Sequence, residues 1–282
     1  MIPCPSSVNT PLSLGHSFSS NESAVFLALV KAIKTEAQLV LENLANNNTA
    51  LASEHANRAS ALFTASVHGR IAESNLTFAD DLSNVLSTLK SSTESSSDAS
   101  TASNIDMVIS GLDAIIDGII TARIDPVQLD NSTIQALTIV ELLDRVLNNY
   151  SDAYETGFDM TNMSMMMGDN NGMNSMSSME MDSSSMSMAN TSATEGFELV
   201  NITSYQTAQV MAMKVQELFN TQLINSSADT QSLDNITIAL QELLSTIDNE
   251  GTPMDVMTIV HTRIHSNFIT AFGLEFNTQL PN

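Results

Sequence analysis

Sulfur is where this chain concentrates its reactive side chains. Eleven of its seventeen methionines fall within residues 159–196: Met160, Met163, Met165, Met166, Met167, Met173, Met176, Met179, Met181, Met186 and Met188. Between them lie mainly Ser, Asn, Asp, Gly and Thr, with no leucine, isoleucine, valine or aromatic residue. A core element mixes methionine with branched residues, because Met alone fills space without fixing it. Thioethers without such neighbours predict a long disordered loop. Their spacing is M-x-x-M (160/163, 163/166, 173/176, 176/179) and M-x-M (163/165, 165/167, 179/181, 186/188). A thioether is a neutral, soft ligand that suits Cu(I) and not Mg²⁺ or Ca²⁺. One or two intervening residues in a flexible chain let two or three sulfurs converge on one ion.

The run resembles the Met-rich "Mets" motifs in the tails of copper transporters and in periplasmic copper-resistance proteins. That resemblance implies weak, exchangeable copper capture, with copper ions as ligand and a copper transporter or cuproenzyme as delivery partner. The run contains no histidine, unlike those tails, which argues against a Cu(II) role. Two plainer readings stand beside it: an inert Ser/Asn/Met linker, and a sacrificial sink for oxidants.

His261 and His265 form the second constellation. Four residues apart on a predicted helix, two imidazoles share a face and can chelate one metal ion. His55 or His68 would add a third ligand if their helix lay alongside. The competing reading is a pair of half-exposed helix residues or a polar layer bonded to carboxylates. No E-x-x-H pair of the di-iron type occurs, and no nucleophile triad, P-loop or G-x-G-x-x-G. Asp106, Asp113 and Asp117 share a helix face that reads as solvated surface. Cys4 is the only cysteine, so no disulfide within the chain or Cys-based zinc site can be written. It and His16 lie in a Pro/Ser-rich tail without a base nearby.

Thirty-two acidic against nine basic residues give a formal charge of −23. This field repels nucleic acid and attracts cations, and no Lys or Arg occurs between Arg145 and Lys214. Ten N-x-[ST] sequons, at Asn21, Asn47, Asn75, Asn131, Asn149, Asn162, Asn190, Asn201, Asn225 and Asn235, modestly exceed chance for this composition. With scarce lysine they point to a secreted glycoprotein in an extracellular or periplasmic-type space. No apolar run is long enough to span a membrane. The first twenty residues lack a basic n-region and a continuous apolar core, so no signal peptide is read there.

Apolar positions spaced three and four apart predict helices over 23–45, 50–74, 78–92, 104–123, 132–157, 203–224, 232–248 and 253–275. An internal repeat fits this reading: residues 142–158 align without gaps on 260–276, pairing Arg145 with Arg263, Asn149 with Asn267 and Tyr150 with Phe268. Residues 105–122 align on 254–271 in the same manner. The expected fold is all-α, about eight helices in antiparallel hairpins forming a bundle. Its expected divisions are an extended tail (1–22), an N-terminal helical part (23–158), the Met-rich loop (159–196), a C-terminal helical part packed on the first (197–276) and a tail (277–282). The leading functional expectation is a secreted, non-enzymatic protein that captures Cu(I) for storage or delivery, through the eleven methionines and His261/His265. The alternative is an extracellular structural or adhesive helical-repeat glycoprotein with the Met-rich stretch as a linker.

Overall fold

The computed structural model describes residues 20–94, 100–161 and 197–274, and every regular element among them is helical. Cys4, His16, the C-terminal tail and the methionines from Met163 to Met188 lie outside the described residues. The fold is all-α, as the spacing of apolar residues requires. Two compact units divide between Gln135 and Ala136.

In the first unit, α1 (Ser20–Ala45) and α2 (Thr49–Leu62) form an antiparallel hairpin across the turn Asn46–Asn48. Asn47 takes a left-handed φ of 58° there, and Asn48 caps α2 by accepting from the Leu51 amide. Helix α2 packs on α4 (Leu76–Glu94), α4 on α5 (Ser100–Arg123), and α5 back on α1, which closes a four-helix ring. Small residues set its close approaches: Ala52, Ala56 and Ala59 are fully buried on α2. Gly118 on α5 leaves room for Phe78, whose ring would stand 2.9 Å from a Cβ at that position. A buried carboxylate ties the hairpin together, with Glu36 accepting from His55 Nδ1 at 2.6 Å and Arg58 Nε at 3.0 Å.

The predicted helix 50–74 is two helices, α2 and α3 (Ala65–Ala72). Thr64 is extended between them, and its hydroxyl accepts from the Val67 amide. Neither Gly nor Pro marks this break, so helical spacing carried through it. The short helix α6 (Pro126–Leu129) starts on the cap Asp125 with Pro at its first position.

The second unit contains α7 (Ser132–Tyr154) from Ala136 onward, α8 (Ile202–Leu218), α9 (Thr230–Asp248), α10 (Pro253–Thr258) and α11 (Ser266–Phe272). Asn131, Asn201, Asp229 and Thr252 cap α7, α8, α9 and α10 with their side chains. Helix α9 packs against α8, α10 and α11. Two stretches widen into π-helix: Phe219–Leu223 after α8, and Ile259–His265 between α10 and α11. The sequence-aligned stretches therefore differ in helix type, since Glu141–Leu147 is regular α and Ile259–His265 is π. Asn149 and Asn267 nevertheless each donate to the carbonyl four residues back, at 2.7 and 2.6 Å.

Candidate functional site

The chain leaves α7 through a tightly bonded corner. Glu155 and Gly157 take left-handed φ values of 45° and 71°, which turn the backbone sharply. The Phe158 carbonyl then accepts from the hydroxyls of Ser151 and Thr156, both at 3.1 Å. One residue further, the Asp159 carboxylate accepts from the amide and hydroxyl of Thr161 at 2.9 and 2.6 Å. Between these two fixed points the Met160 side chain turns inward and is 0 % exposed.

The expectation of exposed sulfur therefore fails at Met160, which is a core residue. Its neighbours looked polar in sequence, yet Phe158 and Met160 flank the corner that folds back on the unit. The chain returns beside the point of departure. Phe197 meets Phe158 edge-on with ring centroids 6.5 Å apart, and the amides of Val200 and Asn201 both donate to the Ala153 carbonyl, at 2.9 and 3.1 Å. An open cleft at this corner is lined by Ser151, Glu155, Gly157 and Asn201 among others.

The histidine pair is brought together at the same place. His261 and His265, both buried in the π-helical segment, face each other edge-to-face with centroids 5.2 Å apart. His261 Nε2 donates to the Met160 carbonyl at 2.8 Å. A carbonyl only accepts, so this nitrogen carries the proton. His265 Nε2 stands 4.0 Å from the half-buried Asp144 carboxylate of α7, beyond hydrogen-bond distance.

Burial, reinforced by the neighbouring carboxylates of Glu141 and Asp159, pushes the Asp144 carboxyl up to about 7. Burial, with His261 beside it, pushes the His265 imidazole down to about 3. Both shifts have one cause: a charge here lacks water, and its neighbours do not replace it. Asp144 was not singled out in the sequence. The signal was a lone Asp inside the run Leu142–Leu147, whose apolar members are buried.

A metal on His261 Nε2 has to displace the Met160 carbonyl. Among the described residues, no three His, Cys, Asp or Glu side chains are arranged to hold an ion. His55 and His68 have carboxylate partners within the first unit: Glu36 for His55, and Asp80 for His68 at 3.2 Å. Asp113 and Asp117 are not a bare acidic face, because Lys34 of α1 reaches both at 3.0 and 3.1 Å.

All three tyrosines of the chain gather in the second unit. Tyr150 is fully buried and donates to the Gly251 carbonyl at 2.6 Å, while Tyr205 donates to the Ile247 carbonyl at 2.6 Å. The rings of Tyr154 and Tyr205 lie 4.9 and 6.2 Å from that of Tyr150. No protein-family model, curated protein or solved structure matches the chain.

Proposed function

We propose that this protein captures Cu(I) as cargo, non-enzymatically and outside the cytoplasm, through the ten methionines from Met163 to Met188. One observation carries the reading: the residues on either side of that run are clamped to each other and to one folded unit. Phe158 touches Phe197, Ala153 holds Val200 and Asn201, and His261 holds Met160. A sulfur-rich excursion with pinned ends keeps its ligands at high mutual concentration. The acidic charge of the whole chain draws cations towards it.

Within this reading the thioethers do the capturing and His261 serves as a positioning residue at the root of the run. A soft monovalent ion favours neutral sulfur over carboxylate oxygen, so the acidic surface concentrates copper without trapping it. A copper transporter or cuproenzyme would be the delivery partner.

The test is competition for Cu(I) against a coloured chelator under reducing conditions. The intact chain is compared with one in which 163–188 is replaced by a Ser/Asn linker of equal length. Uptake by the intact chain alone supports the reading. Equal and negligible uptake by both ends it.

A further inference from the structure

We infer that Asn47 and Asn225 are the N-glycan acceptors among the sequons whose side chains the structure describes, and that the other five are committed to the fold. The inference rests on the export reading above and adds to it the chemical class of modification and the residues that take it. The acceptor atom in this chemistry is the amide Nδ2. It attacks the anomeric carbon of an oligosaccharide carried on a lipid phosphate or pyrophosphate. The carbon–oxygen bond to phosphate breaks, the lipid phosphate leaves with the electron pair, and the amide proton passes to a base of the transferase. Nδ2 must therefore be unengaged, with its asparagine and the hydroxyl two residues on both exposed to one catalyst.

Asn47 meets that requirement. It lies in the α1–α2 turn at a φ of 58°, and Asn47, Asn48 and Thr49 are all exposed. Asn225 meets it as well, because Asn225, Ser226 and Ser227 fall in the turn after the Phe219–Leu223 segment, with Asn225 and Ser227 exposed. Among the described residues neither side-chain amide is engaged.

The remaining sequons spend their amides in two ways. Asn149 donates Nδ2 to the Arg145 carbonyl at 2.7 Å, and its paired hydroxyl, Ser151, is bonded to Phe158. Asn235 donates Nδ2 to Asn267 Oδ1 at 3.2 Å, and its paired Thr237 bonds back to Leu233. A sugar on either amide has to break those bonds. Asn75, Asn131 and Asn201 hold Oδ1 against the first amides of α4, α7 and α8, which fixes each side-chain amide at the start of its helix. Thr203, the partner of Asn201, is also buried.

The test uses the full chain behind a cleavable leader, secreted from a eukaryotic cell. Enzymatic glycan removal in ¹⁸O water then marks every asparagine that carried a sugar. The expected result is label on Asn47 and Asn225 and none on Asn75, Asn131, Asn149, Asn201 or Asn235. Thr49→Ala and Ser227→Ala, which leave both asparagines in place, should each remove one step of mass. Absence of label from either Asn47 or Asn225 in the secreted product overturns the inference, and so does label on Asn75, Asn131, Asn149, Asn201 or Asn235. Export is read separately, by fractionating the native cell. A cytoplasmic location there ends the export reading, whereas the leader experiment decides the acceptor geometry alone.

Discussion

His261 Nε2 and the Met160 carbonyl lie 2.8 Å apart although 101 residues separate them in the chain. That bond joins the π-helical segment to the corner where the Met-rich run departs. Removing the donor with His261→Leu leaves a carbonyl on a fully buried residue without its partner. The expected cost is about 1–3 kcal/mol, read by urea unfolding of the metal-free protein. Met160→Ala should cost about 2–5 kcal/mol through the cavity it opens. Met160→Leu, which conserves volume, should cost less than about 1.5 kcal/mol. Equal tolerance of all three variants would show that Met160 is not packed as described.

The Asp144–His265 pair predicts opposing pH dependences. Asp144 titrates near 7 when folded, against about 3.9 unfolded. The folded state therefore binds more protons between those values, and stability from this group falls as pH rises through the window. His265 titrates near 3 when folded, against about 6.5 unfolded. Here the unfolded state binds more protons, so stability falls as pH drops from about 6.5 towards 3. The two slopes oppose each other between about 4 and 6.5, so Asp144→Asn should leave stability rising with pH across that window and His265→Gln should leave it falling. Stability against pH for the two variants with chelator present checks both signs. Unchanged profiles would mean that neither group is desolvated.

Glu36 sits buried between His55 and the half-buried Arg58, and it gives the buried His55 ring its bonded partner. Glu36→Leu removes the carboxylate that accepts from His55 Nδ1 and Arg58 Nε. A loss of about 1–3 kcal/mol is expected, measured by thermal and denaturant unfolding. His55→Leu in the same background should recover part of it, because the stranded donor then disappears.

The tyrosines give a reporter confined to one unit. The chain has no tryptophan, and Tyr150, Tyr154 and Tyr205 cluster together. Burial pushes all three hydroxyls above their ordinary value, with Tyr150 also bonded to Tyr154. Alkaline titration by ultraviolet absorbance should show the three phenols ionising above the usual value of about 10, with Tyr150 last. Tyr150→Phe should cost about 0.5–1.5 kcal/mol through its bond to Gly251. An ordinary phenolate titration in the folded state would contradict the burial.

Helical periodicity alone determined most of the fold. Apolar residues every three and four positions wrote the long helices, and Asn48, Asn131, Asp229 and Thr252 cap four helices in the structure. The Thr64 break stayed hidden, because an extended threonine in a helical pattern looks like any other threonine. The widening of 259–265 into π-helix was equally invisible, since no residue type in that stretch signals it.

At the candidate site the same division holds. Spacing placed His261 and His265 on one face, as local geometry must. Tertiary structure alone decided what they face: a backbone carbonyl 101 residues earlier for one and the region of Asp144 for the other. It also took Met160 out of the sulfur run and into the core. Local rules follow from bonded geometry and are written in neighbouring residues. Burial depends on which distant surfaces meet, and no window of sequence contains both of them.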